Sequence, residues 1–225
     1  MTPEELLRRS RALLLDFDGP ICSVFAGIPA HVVADQLRAV LSDYGHTDLP
    51  PEVATAEDPF DVFRYAATLG DAEARCVEAA FTAHEVEAIR TAEPTRGAIE
   101  LMTAWHNSGR PLAIVSNNSV AAIETYLQLY DLSSIVNFVS ARTGHDWTQL
   151  KPQPDLLFEA AERLHVSPEN CAFIGDSTSD AEAAQSALVP FIGYANRPHK
   201  RVNFMAANAA TTTDQMSDLR VCEQP

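Results

Sequence analysis

Two hydrophobic rhythms alternate along this chain. Runs of four or five mostly apolar residues at 12–15, 112–115, 135–139, 171–174 and 189–192 are separated by longer stretches whose apolar positions recur three and four apart. The short runs, lacking a polar face, read as strands buried on both sides, the first covering residues 11–16. The stretches between them predict helices over 95–108, 119–129, 154–164, 178–187 and 198–207. Strands that alternate with helices in this way form a parallel sheet covered on both faces. The block at 23–92 breaks the alternation: it predicts helices over 29–44, 59–69 and 72–90 and no convincing strand. Gly45 stops the first of them. Thr2-Pro3-Glu4-Glu5 opens a short helix at the N-terminus, and a polar tail after about Asp214 is expected to fray.

At 225 residues the chain can bury a substantial core, as one domain with a large insertion or two modest domains. Its formal net charge of −15 argues against a nucleic-acid or anionic-membrane footprint. No apolar run approaches the roughly 20 residues of a membrane span, and no signal-peptide pattern is present. Cys22, Cys76, Cys171 and Cys222 have no paired spacing, so neither a zinc site nor a disulfide framework is indicated. These features predict a cytoplasmic protein, monomer or homodimer, with no nucleic acid and no membrane as partner. Lys151 and Lys200 are the chain's two lysines, so an anionic ligand would need one of few local positive centres. Loss of Lys151 is expected to hurt more than loss of Lys200.

Four polar clusters fall at the carboxyl ends of predicted strands: Asp16/Asp18, Ser116-Asn117-Asn118, Lys151-Pro152 and the run Gly175 to Asp180. Ligands of such sheets bind at those ends. Side chains alternate along a strand, so Asp16 and Asp18 leave on one side while Phe17 turns into the packing. Two carboxylates at one point repel and are costly to desolvate, a conflict that a cation or a phosphorylated ligand resolves. Each cluster alone has a plainer explanation, since Ser116 and Ser177 can cap helices, Asp180 can complement a helix N-terminus and Lys151 can be a surface charge. All four in this order are not expected from capping alone.

The ordered set resembles the haloacid dehalogenase superfamily, and within it the phosphatases with a helical cap inserted after the first strand. The likeness rests on D-x-D-G at Asp16 to Gly19, the 94–109 helix, Ser116, K-P-x-P-D at Lys151 to Asp155, and G-D-S-x-x-D at Gly175 to Asp180. It implies an α/β fold with a Rossmann-like doubly wound parallel sheet, the core domain comprising 1–20 and 93–225 and the all-helical cap 21–92. It also implies that Asp16 attacks phosphorus to form an aspartyl-phosphate, while Asp18 protonates the leaving oxygen and later takes a proton from water. Magnesium is the implied ion, favoured by oxygen donors, with the Asp16 carboxylate, the Asp18 carbonyl and Asp176 as ligands and Asp180 completing the metal set by orienting a coordinated water or its neighbours. Lys151, the Ser116 hydroxyl and backbone N–H groups near Phe17 and Asn117 would bind the phosphate of a small phosphorylated metabolite.

Asp18 separates this branch from dehalogenases of the same fold, which need no leaving-group acid. Residues 20–94 hold no lysine, which sets the chain apart from phosphonate-cleaving relatives. Pro20, Ser23 and Leu188 depart from the family pattern; Ser23 is expected to cap the next helix, and Pro20 bears on cap motion. His31, Arg38 and Arg64 are the cap residues expected to face the site, with Arg64 the candidate substrate contact. Trp105 and Trp147 read as packing residues, and His106, His145 and His165 have no metal-site spacing. The alternatives to a phosphatase are a sugar-phosphate phosphomutase and a non-catalytic phospho-ligand-binding protein of the same fold.

Overall fold

The structure, a computed structural model, describes residues 1–207 and 209–221. Helix α1 (Pro3–Arg9) starts in a capping box formed by Thr2 and Glu5 and leads into β1 (Ala12–Leu15). Strand β2 (Cys22–Ser23) precedes four helices, α2 (Ala30–Asp43), α3 (Pro51–Ala54), α4 (Pro59–Leu69) and α5 (Asp71–Ile89), and β3 (Glu93–Pro94) follows them. The alternation then runs α6 (Ala98–Asn107), β4 (Leu112–Ser119), α7 (Val120–Leu129), β5 (Phe138–Arg142), α8 (Asp155–Arg163), β6 (Cys171–Gly175), α9 (Thr178–Ala187), β7 (Phe191–Tyr194), α10 (Pro198–Ala206) and β8 (Thr211–Thr213).

Six strands form one sheet in the order β5-β4-β1-β6-β7-β8, and every neighbouring pair is parallel. This is the α/β doubly wound sheet that the alternation predicts. Ala12 and Leu14 of β1 enter one core and Leu13 and Leu15 the other, as a two-residue period requires. Each leucine is fully buried and gains about 2 kcal/mol by leaving water, which favours a central place for β1. From β1 the chain steps outward to β4 and β5, returns to β6 on the other edge of β1, and continues to β7 and β8. The order therefore reverses beside β1, where doubly wound sheets open a ligand crevice.

Strand ends depart from the apolar runs for identifiable reasons. The run at 135–139 starts too early: Ile135 N–H closes a turn onto Leu132, Asn137 pairs with Leu112 through both backbone and side chain, and the ladder begins at Phe138. It continues through Ser140, Ala141 and Arg142, with the polar side chains of Ser140 and Arg142 buried. β7 starts at Phe191 because Val189 N–H caps α9 and Pro190 has no N–H to donate. β4 extends four residues past its apolar run, with a register shift between Ser116 and Ser119.

β8, three threonines, carries no apolar run to announce it. Inside the stretch expected to be wholly helical, Cys22 and Ser23 pair antiparallel with Pro94 and Glu93, bringing the two ends of the helical block together. Ser23 lies in that ladder, and the N-cap of α2 is Pro29, so Ser23 does not cap the helix. The tail expected to fray is packed as far as it is described, with Met216 and Leu219 buried. Cys222 lies outside the described residues.

Helices α2, α4 and α5 pack together through Leu37, Val62, Phe63 and Phe81, with Phe60 and Phe81 edge to face at 4.9 Å. Asp58 caps α4 by accepting from Phe60 N–H at 2.9 Å, with Pro59 in its first turn. Among the described residues no helix is long and apolar enough to cross a membrane.

Candidate active site

The crevice contains a chain of alternating charges. Lys151 Nζ stands 2.7 Å from Asp16 Oδ1, 2.6 Å from Asp180 Oδ1 and 3.0 Å from the Val115 carbonyl. Lys200 Nζ, from α10, meets Asp176 Oδ2 at 2.5 Å. Asp16 sits just past β1, its N–H still paired with the Ile174 carbonyl, so the sheet fixes its backbone. Its Oδ1 also accepts from Phe17 N–H at 2.8 Å, which orients the carboxylate. The Phe17 ring is fully buried, edge to face with Tyr126 at 5.2 Å, and Asp16 is thereby held to the other side.

After Phe17 the chain turns tightly, with both Ile21 and Cys22 N–H donating to the Phe17 carbonyl. Asp18 Oδ1 accepts from Val24 N–H at 2.9 Å. Gly19 has φ +103°, and a Cβ there would lie 2.5 Å from the Asp176 carboxyl carbon. Only glycine lets the first loop press so closely on Asp176. Thr95, just after β3, braces that loop by donating to the Gly19 carbonyl.

Asp180 does two things at once. Its Oδ2 accepts from the N–H groups of Asp176 and Ser177 and from the Ser177 hydroxyl, in a capping box at the start of α9, while Oδ1 meets Lys151. The plainer reading of Asp180, a helix-terminal acid, and the site reading are both true of it. Asn117 is similarly committed: its side chain donates to the Lys151 carbonyl and accepts from Lys151 N–H, clamping the lysine's backbone. Ser116 is buried at the end of β4, its hydroxyl bonded to Asn118 Oδ1 at 3.1 Å.

Burial and the Asp180 carboxylate push Asp16 upward from the usual carboxylate range, with the Lys151 ammonium pulling the other way. Burial acts to raise Asp180 as well, but Lys151 and the Ser177 donors outweigh it and hold that carboxyl low. Burial works against charge on Lys151, yet Asp16 and Asp180 keep it above the ordinary lysine range. Burial raises Asp18 to about 6 despite the Val24 hydrogen bond and the pull of the Lys200 ammonium. One acid next to the lysine and a second poised near neutrality have environments suited to a nucleophile and a proton donor.

Carboxylate oxygens of Asp16, Asp176 and Asp180 lie within 4.8 Å of one another. All are hard oxygen donors with no histidine or cysteine among them, a set that fits a magnesium-like ion and not zinc. Asp16 and Asp176 are the better placed to ligate, since both oxygens of Asp180 are already engaged.

A cleft of about 490 Å³ opens over this cluster, lined from below by Asp16, Asp18, Ser116, Asn117, Lys151 and Asp176 and from the helical block by Phe25, Asp58, Phe60 and Arg64. Arg64 is the one expected cap candidate that reaches it, and it is ion-paired with Asp61. Arg38 instead donates to the Val53 and Ala56 carbonyls and pairs with Asp35, tying down the chain between α3 and α4. His31 is exposed and does not line the cleft. Trp105 is buried as expected, but Trp147 is 40% exposed, in a short 3-10 turn. Leu188 ends α9 in the left-handed region at φ +56°, a position that favours glycine.

A buried network behind Ser116 was not foreseen. Glu85 of α5 accepts from Asn118 Nδ2 (2.9 Å), Ser119 N–H (3.0 Å) and Arg142 Nη2 (2.5 Å). Arg142 also pairs with Glu78 and donates to the Asn117 carbonyl, and it stacks over Phe81 at 4.7 Å. Glu85 stands in the apolar stripe Ala74, Val77, Phe81, Ala88, so a carboxylate at a core-facing position was the available signal. Glu85→Gln removes one charge of a fully buried pair, and we expect it to cost about 3 kcal/mol in denaturant unfolding. A loss below about 1 kcal/mol would show that Glu78 alone satisfies Arg142.

The family model described as haloacid dehalogenase-like hydrolase matches residues 11–187. Phosphoglycolate phosphatase of Escherichia coli (strain K12) is 32% identical over 94 residues, which make up 42% of this chain and 36% of that protein. The chain thus matches about a third of the length of its curated relatives. Among solved structures, a putative phosphoglycolate phosphatase from Lactobacillus plantarum shares the fold at a TM-score of 0.68 and 24% identity, over 97% of this chain and 98% of that one. CbbY from Rhodobacter sphaeroides, in complex with phosphate, does so at 0.66 and 18%, over 93% and 96%. With the family model matching well over half its length, this protein belongs to the haloacid dehalogenase-like hydrolases.

Proposed function

We propose that this chain is a magnesium-dependent phosphatase that hydrolyses a small phosphomonoester through an aspartyl-phosphate. The observation that carries the reading is the convergence of Asp16, Asp18, Lys151 and Asp176 from separate segments on one cleft at the switch point of the sheet. The relatives named for phosphoglycolate phosphatase, and the neighbour holding phosphate, support the same chemistry.

In the first half-reaction an Asp16 oxygen bonds to phosphorus as the ester P–O bond breaks, and Asp18 gives its proton to the departing oxygen. In the second, water attacks the acyl phosphate, its proton passes to the Asp18 carboxylate, and phosphate leaves with Asp16 restored. Lys151 holds the Asp16 carboxylate and offsets charge on the phosphate, whose other oxygens the Ser116 hydroxyl and the backbone amides near Phe17 and Asn117 orient. Magnesium, held by Asp16, Asp176 and the Asp18 carbonyl with Asp180 bracing the set, supplies charge neutralisation between two anions when bound. Residues 21–92 act as the cap and Arg64 contacts the substrate beyond its phosphate, while 1–20 and 93–225 form the core. The free thiols Cys22, Cys76 and Cys171 suit a reducing cytoplasm.

The test is phosphate release from a panel of phosphorylated metabolites, phosphoglycolate included, with magnesium and with chelator. No release by folded protein would point to the non-catalytic reading, and isomerised sugar phosphate without free phosphate to the mutase. The pH profile tests Asp18 separately. An acid raised to about 6 is protonated below that pH, so kcat/KM for an alkyl phosphate should fall as pH rises through about 6. p-Nitrophenyl phosphate has a leaving group that needs little protonation, and its profile should lack that limb. Identical profiles for the two substrates would remove Asp18 as the acid.

A further inference from the structure

Both lysines of the chain sit on the acidic cluster, and they sit there differently. Lys151 is 3% exposed in its side chain and makes three contacts, bridging Asp16 and Asp180 beneath the cleft. Lys200 reaches Asp176 from the solvent side, its side chain 20% exposed and its ammonium on a single carboxylate oxygen. It is carried by α10, which is anchored at its far end by Phe204 packed on Phe191 and Gly193. A long side chain with one partner, at the rim, can swing away without disturbing the helix that bears it.

The charges make that movement informative. In their ionised forms the three carboxylates Asp16, Asp176 and Asp180 against two ammonium groups leave one negative charge among these five groups. With Lys200 withdrawn, two remain, the charge that a divalent cation neutralises. Lys200 and a metal ion also want the same atoms, because Asp176 Oδ2 cannot serve the ammonium at 2.5 Å and a cation with equal effect. We propose that Lys200 is a stand-in cation: it holds Asp176 while the metal site is empty and is displaced as the divalent ion binds, so that it sets the metal affinity by competition. The inference rests on the metal reading given above and adds a residue that the sequence marked only as the less important lysine.

The experiment is a magnesium titration by calorimetry of wild type, Lys200→Met, Lys200→Arg and Asp176→Asn, in the absence of substrate. Lys200→Met should bind magnesium about fivefold more tightly, the worth of one partly exposed ion pair, and Lys200→Arg should stay near wild type. Amine acylation read by mass spectrometry gives an independent measure, since Lys151 is buried. Magnesium should raise labelling of Lys200 in wild type, and Asp176→Asn should raise it without magnesium. Equal or weaker binding by a folded Lys200→Met, or labelling indifferent to magnesium, overturns the competition while leaving the phosphatase reading intact. No magnesium binding by wild type and Lys200→Met alike overturns both. Circular dichroism establishes that each variant is folded.

Discussion

Asp16→Asn is expected to lower phosphate release by about four orders of magnitude or more and to abolish phosphoryl transfer to the protein. The amide keeps the side chain's volume, and its oxygen can still accept from Lys151 and from Phe17 N–H, the two bonds that orient Asp16. What it lacks is the nucleophilic carboxylate. Lys151 retains Asp180 as its counter-charge, so the fold should survive. The measurement is phosphate release under magnesium, paired with mass spectrometry of acid-quenched wild type, in which the peptide bearing Asp16 should gain one phosphoryl group. A variant that keeps more than a few per cent of the rate would rule out Asp16 as nucleophile.

Lys151→Met has the largest expected effect on stability and lowers the rate as well. Removing the ammonium strands Asp16 and Asp180, both buried, next to each other with no cation between them. Breaking a buried pair from one side costs about 3–5 kcal/mol, because the remaining charge cannot regain its hydration. The sign of the pH dependence follows. Without Lys151, Asp16 is pushed further above its unfolded value and Asp180 loses the ammonium that helps hold it low and rises as well, so the folded variant holds protons that the unfolded chain has released. Stability therefore falls as pH rises, and the deficit against wild type should be full at pH 8 and smaller near pH 5. Thermal melts at the two pH values check this; an equal deficit at both would mean that lost packing, and not stranded charge, is the cause. Turnover should drop with it at every pH, since the phosphate loses its buried counter-charge.

Much of the molecule was legible in the order of residues. The unbroken apolar run at 12–15 could only be a strand covered on both sides, and the helix–strand alternation after 95 fixed a parallel sheet. Since ligands gather at the carboxyl ends of such strands, Asp16, Ser116, Lys151 and Asp176 could be assigned to one place before any distance was known. The helices expected over 59–69 and 178–187 match α4 and α9 to the residue, and the structure shows Asp58-Pro59 and Ser177-x-x-Asp180 starting them.

Other features became visible only with the fold. The ends of β5 and β7 depend on which neighbour offers the next hydrogen bond, and β8 exists because Tyr194 and its predecessors give three threonines a ladder to join. Local periodicity holds no information about such partners. Arg38 and Arg64 lie on neighbouring helices of one block, yet one ties down backbone and the other lines the cleft.

The chain by itself determined which chemical groups stand at the sheet's carboxyl edge, because the two-residue period and the start signals of helices act over a few neighbours. Tertiary structure alone decided which of those charges meet. Glu85 and Arg142 are 57 residues apart, and Lys200 and Asp176 are 24 apart. Electrostatic pairing depends on distance in space, and a buried ion must find its opposite wherever packing leaves one.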